Sequence, residues 1–149
     1  MTYDANELNS KHLTFFRFED LRIYHKALDY ILWVQKINQQ FPESADKALS
    51  AAFCESARQI ALRIAEGSAR EKVQFILYLK EAKSAIRSCL VYTTIAYKHG
   101  YINDLDEDES RNQLMEMTKM LGALITSLQK GSNAQHDQLD EDLFPSKNW

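Results

Sequence analysis

The sequence predicts an all-α fold, an antiparallel up-down-up-down four-helix bundle, on three observations. Only four glycines and two prolines punctuate the 149 residues, too few for the many turns of an all-β domain. Apolar residues recur at steps of three and four through four long segments, the period of an amphipathic helix. The breaks between those segments are short and polar, which favours antiparallel neighbours. The length is that of one domain with its own core. A composition of 45% hydrophobic and 26% charged residues is that of a globular protein.

Each element follows in order. Residues 1–17 are polar and mixed and read as an N-terminal arm; the bundle is expected over 18–131. The first helix spans about 20–40, with Asp20 as its cap. Leu21, Tyr24, Leu28, Ile31 and Gln35 mark one face, and Ile23, Ala27, Tyr30, Val34, Ile37 and Phe41 mark a second. A helix apolar on two faces is buried on more than one side. Phe41-Pro42 closes it, because the residue before proline avoids the helical region.

The second helix is expected over 45–66, with Ser44 as N-cap and Asp46 in its first turn. Leu49, Phe53, Ala57, Ile60 and Ile64 form its stripe, and Gly67 is read as the left-handed residue that stops it. The third spans 69–99, capped by Ser68. Its inward stripe is read as Val73, Ile76, Leu79, Ala82, Ile86, Cys89, Thr93 and Ala96, with Gly100 ending it. The fourth spans 107–130 behind the acidic run Asp104 to Glu109, which suits a helix start. Leu114, Met117, Leu121, Leu124 (or Ile125) and Leu128 are its stripe, and Gly131 ends it. Residues 132–149 form a polar tail carrying Leu143, Phe144 and Trp149. Ile60, Ile64, Leu79, Ile86, Leu121 and Leu128 are the expected centre of the core.

Several chemistries lack their residues. Isolated Gly67, Gly100, Gly122 and Gly131 cannot build a phosphate-cradling glycine loop. No Glu has a His three residues later, as a di-iron bundle requires, and there is no HExxH or GxSxG run. His12, His25, His99 and His136 are scattered; His25 and Asp29, four apart, read as a surface hydrogen bond. Cys54 and Cys89 lack CxxC spacing and sit in apolar stripes, as small buried hydrophobes in a reducing compartment. No enzymatic activity, metal or cofactor is therefore expected. The start of the chain lacks a signal-peptide core and no apolar run reaches membrane-span length; a cytoplasmic protein without membrane contact is expected.

Charge is unevenly placed. Residues 1–43 carry a net −1, residues 44–99 carry +4, and residues 100–149 carry −6. Lys80, Lys83 and Arg87 make one stripe along the third helix, with Arg63, Arg70 and Lys72 clustered at the nearby turn. Glu66, in the last turn of the second helix, opposes the helix dipole. It is read, with Gly67, as bracing the turn toward Arg70, or as touching a ligand.

Phe18-Glu19-Asp20-Leu21, Ala27-Leu28, Phe41-Pro42, Ile64-Ala65-Glu66-Gly67, Phe75, Leu79 and Gly100-Tyr101-Ile102 recur in a characteristic order. From Phe18 to about Lys130, the chain resembles the four-helix-bundle family of 23S rRNA intervening-sequence proteins, once labelled S23 ribosomal proteins. The accessory variability determinant of diversity-generating retroelements has the same fold. The departures are polar: Arg63 stands where the family usually has Asn, and Ala52, Cys54-Glu55, Ser84-Ala85 and Ser88 replace other polar positions. The resemblance implies five subunits and a basic assembled surface that contacts nucleic acid or a reverse transcriptase-like protein.

Two functional expectations follow. One is a homo-oligomeric module binding RNA, DNA or a nucleic-acid enzyme through Arg63, Arg70, Lys72, Lys80, Lys83 and Arg87. The other is a structural protein–protein oligomer, the basic stripe being only a solvated face. Either assembly, a pentamer first and a dimer second, would use apolar residues of and before the first helix: Phe16, Phe18, Ile23, Tyr30 and Trp33. Trp33 also suits the core.

Overall fold

A computed structural model describes residues 15–131. The residues 1–14 and 132–149, with most of the arm and the whole tail, lie outside the described residues. A 3-10 turn, Arg17–Asp20, leads into four helices: α1 (Arg22–Gln39), α2 (Lys47–Ser68), α3 (Lys72–Lys98) and α4 (Asp104–Gly131). There is no strand among the described residues. Each helix packs on the next in sequence and α1 also packs on α4, closing a four-helix bundle. Cross-helix contacts fix the antiparallel sense. Lys26 meets Glu116 while Tyr30 meets Ser110, so position falls along α4 as it rises along α1. Arg63 with Glu81 and Gly67 with Tyr78 show the same for α2 and α3, and Thr94 with Arg111, while Arg87 and Lys119 line one groove, shows it for α3 and α4.

The helix ends differ from several expectations, each for a local reason. Asp20 belongs to the 3-10 turn, and Leu21 stands at the start of α1 without a side-chain cap. Asp46, rather than Ser44, caps α2; its carboxylate accepts from the Ala48 amide at 2.9 Å. Gly67 does not stop α2, which runs one residue further to Ser68 with ordinary helical φ at Gly67. Ser68 does not cap α3 because its hydroxyl donates back to the Ala65 carbonyl at 2.8 Å. α4 starts three residues earlier than expected. Asn103 caps it, accepting from the Asp106 amide at 2.8 Å while Asp106 reaches back to the Asn103 amide.

Gly100 does end α3, at φ +76°. The Gly100 amide donates to Tyr97 O and the Tyr101 amide to Ala96 O, the paired bonds of a Schellman stop. Tyr101 then packs on Phe41, beside a small buried cluster of Ile37, Ala96 and Ile102.

The six residues expected at the centre of the core are all buried. Val73 is not part of the inward stripe: it is 73% exposed, and Phe75 takes the buried position instead. Of the two apolar faces of α1, the one with Ile23, Ala27, Tyr30, Val34 and Ile37 is fully inside. Tyr24, Leu28 and Ile31 are half-buried against it.

A buried polar chain crosses this core. Tyr30 Oη lies 2.8 Å from Ser110 Oγ, which lies 2.7 Å from Thr93 Oγ1. Thr93 in turn donates to the Cys89 carbonyl at 2.8 Å. Burial, with the nearby Cys89 thiol, pushes the Tyr30 phenol well above its ordinary value.

Gly67 is buried at a close approach of α2 to α3. A Cβ added there would stand 2.5 Å from Tyr78 Cβ, so glycine serves contact rather than a turn. Gly67→Ala should therefore destabilise by about 1–3 kcal/mol despite alanine's helix propensity, as an overpacked site does. Ile64→Ala should cost about 2–5 kcal/mol as a core truncation. Urea unfolding measures both; a Gly67→Ala protein as stable as its parent would contradict the close approach.

Candidate functional site

Helical spacing places the cations of α3 on one flank. Lys80 and Lys83 lie seven and four residues before Arg87, and Lys72 lies eleven before Lys83, whole numbers of turns apart. Lys80 and Arg87 are exposed, while Lys72 and Lys83 are half-buried. None of the four has a carboxylate within ion-pair distance among the described residues.

The turn cluster expected around Arg63, Arg70 and Lys72 divides. Arg63 faces the α2–α3 groove, 3.4 Å from a carboxylate oxygen of Glu66 and 3.4 Å from one of Glu81. Its charge is met at the surface by carboxylates of its own chain. Glu66 therefore pairs with its own helix and does not reach Arg70 or the start of α3. Arg63 and Arg70 both sit against Tyr78, with guanidinium carbons 6.0 and 5.6 Å from the ring centroid. That is the outer limit of a cation–π contact. Glu81, which would otherwise screen the stripe of α3, is turned away onto Arg63.

The flank of α3 continues into a groove of about 600 Å³ against α4. Ile86, Leu90, Leu114 and Met115 form its apolar lining, Thr118 adds a hydroxyl, and Arg87, Arg111 and Lys119 line it with positive charge. Arg111 is held by Glu107 at 3.0 Å and by Thr94 Oγ1 at 3.2 Å. Arg111 and Lys119 escaped the sequence reading because they lie in the acidic third of the chain. Their spacing of eight, with Met115 between, puts them on one face, but only pairing with α3 brings that face opposite Arg87.

On the other side of α4, a smaller groove of about 340 Å³ is acidic. Asp29, Glu109 and Glu116 line it with Lys26, Trp33, Gln113 and Met117. Lys26 is neutralised there by Glu116 at 3.3 Å. The two grooves flanking α4 thus carry opposite charge.

The apolar residues assigned to an oligomer contact also divide. Ile23 and Tyr30 are completely buried in the core of a single chain, so they are corrected from surface to interior. The helical period is the same for both apolar faces of α1 and does not say which one turns inward. Trp33 is half-buried and stacks on Tyr30 at 5.8 Å between centroids. Phe18 is half-buried and packs edge-on against Tyr24. Phe16 remains 53% exposed beside Phe15. Outward apolar residues missed at the sequence level include Leu32 on α1, Leu62 on α2, Leu77 and Val91 on α3, and Leu105 and Met115 on α4, joined by the misplaced Val73.

His25 bonds the Glu19 carbonyl rather than Asp29, and His99 stacks on Tyr101. His12 and His136 lie outside the described residues. Among the described residues, no group of three His, Cys, Asp or Glu side chains is placed to hold a metal ion. No described helix is long and apolar enough to cross a membrane.

These features define a class: a four-helix bundle whose outward chemistry is a cationic flank and an apolar, positively lined groove. A family model described as 23S rRNA-intervening sequence protein matches residues 19–123. The chain belongs to that family. No curated protein matches it.

The two thiols differ in access. Burial, reinforced by the nearby Cys54 thiol, pushes Cys89 up to about 12; Cys54 is half-buried and raised by the same cause, with Arg58 opposing. Because the thiolate is the nucleophile, iodoacetamide at about pH 8 should label Cys54 slowly and Cys89 only on unfolding. Equal labelling of both in the native protein, read by mass spectrometry, would contradict the burial of Cys89.

Proposed function

We propose that this protein is a non-catalytic, homo-oligomeric bundle that binds nucleic acid through the cationic flank of α3. The observation that carries the reading is the row Lys72, Lys80, Lys83 and Arg87, unneutralised among the described residues. A row of unpaired cations, two exposed and two half-buried, on a helix attracts the phosphate backbone without reading sequence. An overall charge of −3 does not oppose this, since local fields steer association. A nucleic-acid enzyme such as a reverse transcriptase-like protein is an alternative occupant of the same surface.

Assembly would multiply that surface. Head-to-tail contacts between copies close into rings where their rotation shuts. The resemblance described above favours five subunits, with a dimer as the second choice. Phe16, Phe18 and Trp33 stay available to an interface, now beside Leu32.

Titration of generic RNA and DNA against salt tests the reading. About four phosphate contacts per chain give a log–log slope near −3.6 on duplex DNA. Lys80→Glu with Arg87→Glu should flatten the slope by about two contacts. Absence of binding at about 50 mM salt would reject the nucleic-acid reading. Light scattering should give a mass near five times that of one chain; a monomer would reject the ring.

A second reading is a purely structural protein–protein oligomer, favoured by exposed Val73, Leu77 and Val91 on the outward face of α3. Under it, Leu77→Glu lowers the assembled mass and no salt-dependent binding of nucleic acid is seen.

A further inference from the structure

The α3–α4 groove combines an apolar floor with three cations, and none of its lining residues is acidic. Within it, Met115 is 51% exposed, and neither Arg87 nor Lys119 has an ion pair among the described residues. The complementary ligand is a short peptide with apolar side chains interleaved with carboxylates. The chain carries such a segment shortly after α4: Leu139-Asp140-Glu141-Asp142-Leu143-Phe144.

Reach agrees with this pairing. α4 ends at Gly131, and Met115 lies sixteen residues back along it, about 24 Å at helical rise. The eight links from Gly131 to Leu139 span up to about 26–29 Å when extended. The chain beyond Gly131 therefore has the length to turn back along the α3–α4 groove and reach the level of Met115 with residues 139–144, without being fully extended.

We propose that residues 139–144 dock in the α3–α4 groove of their own chain, Leu143 and Phe144 on the apolar floor and the carboxylates against Arg87, Arg111 and Lys119. The docking does not depend on the nucleic-acid reading, although it would cover one end of the same cationic flank.

Photocrosslinking in the full chain tests it. Met115→p-benzoylphenylalanine is prepared in light and nitrogen-15 copies, which are unfolded together, refolded as a mixture so that any oligomer holds both labels, and irradiated. Peptides joining position 115 to residues 139–144, light to light and heavy to heavy only, are the expected result. Mixed light–heavy pairs would mean docking onto a neighbouring copy and would overturn the same-chain assignment. Crosslinks elsewhere, or none, would overturn the docking itself. Adding Arg111→Glu and Lys119→Glu should lower the crosslink yield roughly two- to fivefold, the range of a surface ion pair. An unchanged yield would remove the charge argument and the proposal with it.

Discussion

The close approach of α2 and α3 at Gly67 governs much of what the surface can do. With hydrogen in place of a side chain, Gly67 lets the Tyr78 Cβ come into a space that no other residue leaves open. That contact sets the register of the two helices. In this register Arg63 lies within 3.4 Å of Glu81, so the one carboxylate inside the cationic stretch of α3 is drawn to the α2 side. Lys80, Lys83 and Arg87 are left without a counter-charge among the described residues. A packing constraint thus decides an electrostatic property one to three turns away.

The buried hydroxyl chain acts on the opposite side of the core. Tyr30, Ser110 and Thr93 come from α1, α4 and α3, and each hydroxyl has a partner within 2.8 Å. A satisfied polar chain adds modest net stability, but a shifted register would strand buried polar groups at a cost of about 1–3 kcal/mol each. It therefore favours one alignment of three helices over others that would bury as much apolar surface. The groove between α3 and α4 inherits its geometry from that alignment. So does the opposition of Arg87 to Arg111 and Lys119.

Charge distribution, more than net charge, gives the molecule its surface character. The acidic C-terminal third contributes two basic residues to the positive groove, while the basic middle loses Arg63 to an internal pair. A surface potential of this kind depends on which side chains face outward together. The chain shares its scaffold with the 23S rRNA-intervening sequence protein family; the groove and the row on α3 carry its outward positive charge.

Four helices, their approximate bounds, the Gly100 stop and the six central core residues were legible in residue order. Helical period, capping and the conformational freedom of glycine act over a few residues, so a linear string contains them. The cationic row of α3 was legible for the same reason, since its members share one helix. Other features required the tertiary structure. The choice between two apolar faces of α1 placed Ile23 and Tyr30 inside, and a shift in phase put Val73 outside. Contact rather than turning is the task of Gly67, and Arg63 is consumed by Glu81. Each of these depends on the register between helices whose contacting residues lie far apart in the chain, Tyr30 and Ser110 by eighty positions. Periodicity says that a face is apolar or charged; only packing against a partner decides what that face meets.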